Sequence, residues 1–400
     1  MKSPSEITAY QILESLQLKY LALKGKDHVD PLNEGLLENI LKQFLQTDDV
    51  SHVLPKIEEE LSGIVLNTKY QDPYSYSILY HIVQDIEAIK GEVFEGMDLN
   101  IKMPCFGTVD FNMFSAEICS PACDDKLIII SDGLLAFANL ISKVVVQMLP
   151  IKAADKAQHF STRKEDILAH IESTPEVKLR FFDLMLACLV TGEPPQARQY
   201  FPPLHLGAFL HMVRTSFETF VVAHEYSHSV LGHLDDKNIH LSANLESIDE
   251  AELKQIFHHW NDEIHADLYG AGLTLAIMRK KGFDLYTSML GVIVCTSSFD
   301  LFDQIESLRS GNTDEIHVSK THPPGFLRKK MLLQQYFDGS NVELFETIDQ
   351  VLEHLWKDFL PFFQKLKDLI EGHFKRSVYD VPFRITQNVM YRLFEEAGKE

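Results

Sequence analysis

Apolar residues recur every three or four positions along most of this chain, and the runs are punctuated by helix start and stop signals. Ser3-Pro4-Ser5-Glu6 reads as a capping box with proline at the first helical position, and Gly25 follows the expected helix end. Asp30-Pro31 and Asp72-Pro73 repeat the start signal, the second opening a helix to about Lys90-Gly91. The pattern changes between about Glu92 and Ser131. Val109-Asp110-Phe111-Asn112-Met113-Phe114 partly alternates and Lys126-Leu127-Ile128-Ile129-Ile130 is a short β-branched run, so both predict strands. Gly133-Leu134-Leu135 then opens a helix that reaches about Leu149 and stops at Pro150.

Residues 153–203 read as a helical insertion. Thr162-Arg163-Lys164-Glu165 has the form of a second capping box, and Thr174-Pro175 starts the next helix. After Leu204 the periodicity predicts long helices over about 204–235, 249–280, 284–309, 323–337 and 342–373. The expected fold is therefore mostly α (α+β), with a small β-sheet in the middle third. A helical N-terminal module (1–91) would precede a second region (92–400) that carries the insertion and ends in C-terminal helices from about 341 to 400.

Composition narrows the class. The chain has 400 residues, 45% hydrophobic and 24% charged, which suits a large folded core rather than disorder. A formal net charge of −21 repels phosphate backbones, so nucleic acid is not an expected partner. The densest basic run, Arg328-Lys329-Lys330, is short and is expected to decorate one helix face. The start lacks the layout of a secretory signal, and no run reaches the roughly 18 uninterrupted apolar residues of a spanning helix. Five scattered cysteines without a Cys-x-x-Cys pair favour reduced thiols, so the expected location is cytoplasmic.

The candidate chemistry lies in His224-Glu225-Tyr226-Ser227-His228. Histidines at i and i+4 share one helix face about 5–6 Å apart at Cβ, which suits two ligands of one zinc ion (Zn2+). Glu225, about 100° around the helix, is placed to act as a base on a water beside the metal rather than as a ligand. Phe217, Phe220, Val221 and Val222 before the motif, with Val230, Leu231 and Leu234 after it, supply a dry wall. Chance alone can produce five residues in this pattern, so a third ligand has to be found. Nearby candidates are His233, His240, His258, His259, Asp262, Glu263 and His265. On a continuous helix His233 is turned about 140° from His228, which makes joint coordination awkward. His258 and His259 stay open as alternatives without a supporting pattern. Glu263 is the best choice, because Asp267 shares its face at i+4 and can accept a proton from a ligand histidine. Ala266 and Gly270 are small enough to let this helix approach the first closely.

His-Glu-x-x-His followed by Glu263-Ile264-His265-Ala266-Asp267 resembles the gluzincin metallopeptidases, particularly the clan of HtpX, Oma and the CAAX prenyl proteases. Ser319-Lys320-Thr321-His322-Pro323-Pro324, with Arg328 six residues after His322, is similar to that clan's downstream Thr-His-Pro segment. The resemblance implies a zincin-like core, an oxyanion-stabilising role for His322, and a place for Arg328 near the metal helices. Phe111-Asn112-Met113-Phe114 and Ile128-Ile129-Ile130 before Gly133 are similar to the clan's edge strand and first helix, where an extended peptide can add as a strand. Two departures, no spanning helix and an enlarged segment before His224, shift the likeness toward soluble members such as the phage-exclusion (Lit-type) peptidases of bacteria.

The expected function is zinc-dependent hydrolysis of peptide bonds in a protein or peptide substrate. His224, His228 and Glu263 would hold the ion, Glu225 would be the general base, His322 would face the oxyanion and Asp267 would orient a histidine. Two other readings are a catalytically silent, zinc-stabilised scaffold or binding protein and a zinc amidohydrolase acting on a non-peptide amide. Retention of Glu225 argues against the scaffold, since a structural site has no need of a base.

Overall fold

Helix punctuation in the sequence reappears as helix ends. The computed structural model of the chain describes residues 8–28, 38, 42, 49–95, 102–110, 115–120, 125–154, 157–234, 250–310, 322–337 and 342–398. Helix α1 (Ala9–Leu23) starts at Thr8, which exchanges hydrogen bonds with Gln11 in a capping box. The boxes expected at Ser3–Glu6 and Asp30-Pro31 lie outside the described residues. After α2 (Leu54–Ser62), helix α3 (Pro73–Val93) begins as expected, with the Asp72 carboxylate accepting the Ser75 N–H at 2.8 Å.

A three-stranded sheet follows, made of β1 (Cys105–Val109), β2 (Ala116–Cys119) and β3 (Leu127–Ser131) in the order β1-β3-β2. β1 runs parallel to β3 and β2 antiparallel to it, with Phe106 and Ile118 both opposite Ile128. Central β3 is buried on both faces, hence its unbroken apolar run. Its even residues, Ile128 and Ile130, join the main core, whereas Leu127 and Ile129 pack with Leu13 under α1. The strand expected over 109–114 is displaced: Val109 ends β1, Asp110 is outside it, and 111–114 are not among the described residues. Edge strand β2 was not foreseen.

Ser131 ends β3 and caps α4 (Asp132–Met148), its hydroxyl accepting the Leu134 N–H. The expected helical insertion opens instead with an antiparallel hairpin, β4 (Ile151–Ala154) and β5 (Ala157–Phe160). Helices α5 (Lys164–Ser173) and α6 (Pro175–Thr191) follow. Thr162 does not cap α5. The N-cap is Arg163, with no side-chain cap bond, and Ser161 ties the turn instead by accepting the Arg163 N–H and donating to Asp166.

The remaining helices lie close to their expected spans: α7 (Gly207–Leu231), α8 (Glu250–Lys280), α9 (Leu285–Ser310), α10 (Gly325–Phe337), α11 (Glu343–Phe374) and α12 (Phe383–Ala397). α7 is the hub, buried from Ser216 to Ser229 and packed against α3, α4, α8, α9 and the β2–β3 edge. Tyr226 donates to Glu87 of α3, and Lys126 donates to the Ser229 carbonyl at 2.9 Å, closing the helix C-terminus with a cation. By length and hydropathy α9 could cross a bilayer, but 72% of its most apolar window is buried among its neighbours, as in a core helix.

Two glycines set the helix spacing. A Cβ on Gly270 of α8 would lie 2.9 Å from His224 N and 3.0 Å from its Cα, and one on Gly291 of α9 would lie 2.9 Å from Phe217 N. In a free helix Gly→Ala stabilises by up to about 1 kcal/mol. At Gly270 the sign reverses, and Gly270→Ala is expected to lower stability by about 1–3 kcal/mol through overpacking against the α7 backbone. Urea unfolding of the two proteins tests this; an alanine form as stable as the parent would refute the close crossing.

Candidate metal centre

The α7–α8 crossing brings two histidines and a carboxylate together. His224, His228 and Glu263 are buried, 7%, 8% and 9% exposed. The two Nε2 atoms are 3.1 Å apart; Glu263 Oε2 is 3.4 Å from that of His224, and Oε1 is 3.3 Å from that of His228. Ligands about 2.0–2.1 Å from a tetrahedral zinc stand about 3.3–3.4 Å from one another, so these edges match the ion's first coordination polyhedron. Glu263 Oε2 is buried without a hydrogen bond, which fits an oxygen held for a cation. The donor set therefore fits zinc.

Behind the ligands is a charged brace. Asp267 Oδ1 lies 2.9 Å from His224 Nδ1, and the Arg328 guanidinium of α10 grips both Asp267 oxygens at 2.6 Å. Arg328 also lies 4.4 Å over the Phe299 ring and 4.0 Å from Glu263 Oε2. Burial alone would push the Asp267 carboxyl up, but Arg328 and His224 override it and hold it below the usual range. Burial likewise opposes charge on His224, yet the adjacent Asp267 and Glu263 carboxylates raise it to about 10, the signature of a site rich in negative charge. The Arg328-Lys329-Lys330 run is thus not the exposed decoration expected. Arg328 is buried against Asp267, and Lys329 is buried with its ammonium held by the partly exposed Asp300 and Asp349; Lys330 alone faces solvent.

His228 has a partner that helical geometry alone disfavours. Its Nδ1 lies 2.9 Å from His233 Nδ1, and His233 Nε2 lies 3.6 Å from Asp262. α7 ends at Leu231, not near residue 235, because Gly232 adopts a left-handed φ of 76°. The chain turns back there, and the His233 N–H donates to the His228 carbonyl at 3.2 Å. The glycine after a helical run was the signal in the sequence. Burial lowers His233 to about 4 despite Asp262. His258 lies 3.9 Å from Asp262 and is exposed, and His265 faces a separate cavity beside Tyr336. Neither they nor His259 join the ligand cluster, and His240 lies outside the described residues.

A cavity of about 280 Å³ opens beside His224 and Glu225. Leu134, Phe220, Phe299 and Phe302 line it, Arg328 forms part of its wall, and Ser115 and Ala116 bring the start of edge strand β2 to it. Phe111–Phe114, expected to supply that edge, lie outside the described residues. Burial raises the Glu225 carboxyl, opposed by the two histidines. His322 stands at the rim with its side chain 55% exposed and Nε2 3.5 Å from Glu263 Oε2.

Replacing Arg328 with methionine strands the Asp267 charge. The expected cost is about 3–5 kcal/mol at neutral pH. Because Asp267 in the parent is held below its unfolded value, the pair's contribution is full above about pH 4 and fades as pH falls further. The variant's deficit should therefore narrow on acidification, when a protonated Asp267 no longer needs a partner; denaturant midpoints from pH 7 to pH 3 measure it. A family-model scan and searches of curated proteins and solved structures find no match to this chain.

Proposed function

We propose that the chain is a gluzincin-type zinc endopeptidase acting on peptide bonds of a protein or peptide. The observation that carries this reading is the placement of Glu225 at an open cavity beside the convergent His224, His228 and Glu263. Charge supports it as well. Glu225, Glu263 and Asp267 gather three buried carboxylates beside Arg328, an excess of negative charge that favours a bound cation. When bound, zinc lowers the pKa of a water and polarises a carbonyl.

The chain's own residues then divide the work. His224, His228 and Glu263 would hold the ion, with Asp267 and Arg328 keeping the His224 ring in place. Glu225 takes the proton of the attacking water and returns it to the leaving amine. His322 donates to the oxygen on which charge develops. The apolar cavity walls exclude bulk water, and edge strand β2 offers backbone groups for an extended substrate.

Glu225→Gln is expected to keep stoichiometric zinc and lose cleavage by at least about 10²-fold, the scale of a removed general base. His228→Ala is expected to lose the metal. Zinc analysis with a cleavage assay on a broad peptide library tests both. Full turnover by Glu225→Gln would sink the assignment, and bound zinc without cleavage by the parent would favour a scaffold.

A further inference from the structure

We infer that His233 is a positioning residue for His228, an interposed neutral imidazole that fixes which ring nitrogen of His228 faces the metal, with Asp262 fixing His233 in turn. The inference rests on the zinc reading above. His224 and His228 both turn Nε2 toward Glu263, so each must carry its proton on Nδ1 to leave that lone pair available. On His224 that nitrogen lies 2.9 Å from Asp267 Oδ1. On His228 it points to His233 Nδ1, 2.9 Å away, with the rings meeting edge-on at 72°. Two nitrogens can share one proton only if one is bare, so His233 Nδ1 accepts. The His233 proton then sits on Nε2, the nitrogen that faces Asp262 Oδ1 at 3.6 Å.

The two ligand histidines are thus braced differently. A second carboxylate bonded directly to His228 would add negative charge beside the ion and weaken its pull on a substrate carbonyl. A neutral imidazole orients the ring without that charge, and the Asp262 carboxylate stays one ring further away. The Gly232 turn holds His233 in place through its backbone, since the His233 N–H is bonded to the His228 carbonyl.

The test compares His233→Ala and His233→Asn with the parent, because the asparagine oxygen can accept the His228 Nδ1–H where alanine cannot. The full-length chain is stripped of metal and its zinc dissociation constant measured by chelator competition, with the cobalt(II) visible spectrum as a second readout. His233→Ala is expected to bind zinc about 10–100-fold more weakly, with a changed cobalt spectrum, and His233→Asn to restore most of the affinity. Unfolding midpoints of the metal-free forms should stay close together, since the effect acts on ligand geometry. Unchanged zinc affinity in His233→Ala, or no recovery in His233→Asn, overturns the positioning role while leaving the metal centre intact. A parent chain that binds no zinc overturns the metal centre itself, and this role with it.

Discussion

The site depends on one steric fact: α8 can lie against the α7 backbone at His224 because residue 270 has no side chain. Only at that separation can Glu263 reach both Nε2 atoms at 3.3–3.4 Å while Asp267, one turn on, meets the far nitrogen of His224. A wider crossing would leave a buried histidine pair and two buried carboxylates apart. Gly291 does the same work on the opposite side, pressing α9 onto α7 and bringing Phe299 and Cys295 to the cavity wall. The hub helix is therefore clamped between two glycine contacts, and the cluster of His224, His228 and Glu263 sits in the clamp.

Tight packing forces charge to be settled locally. Asp267 at 1% exposure and Arg328 at 3% are each untenable alone, and the fork between them removes both penalties. Lys329, one residue on, is the buried member of its own cluster, its ammonium meeting the partly exposed carboxylates of Asp300 and Asp349. α10 thus enters the core through its cations, with its first residue, Gly325, against Thr296 and Asp300 in the middle of α9.

What could be read in the sequence was local and periodic. The i,i+4 pairs His224/His228 and Glu263/Asp267, the small Ala266 and Gly270, and the long helices after Leu204 all follow from 3.6-residue spacing, and the structure gathers these residues at one crossing. What escaped depended on backbone breaks or on distant partners. His233 was set aside because a continuous helix was extended past Gly232, whose left-handed turn folds the ring back. β2 and the β4–β5 hairpin span four residues per strand, too short for alternation to stand out. Lys329 looked like surface because its carboxylates lie on other helices. The inward place of Arg328 was expected only from family resemblance, since nothing in its neighbourhood marks it as buried.

The Asp267–Arg328 fork also imposes an order of events. The two residues are 61 positions apart, and His224, His228 and Glu263 all precede Arg328 in the chain. On a ribosome these three residues emerge first, while the Asp267 carboxylate still has no guanidinium to accompany it out of water. Until α10 is made, the crossing around Asp267 stays hydrated and loose, since burying a lone carboxylate there costs several kcal/mol. The arginine is thus a latch on assembly as well as a partner in the finished fold.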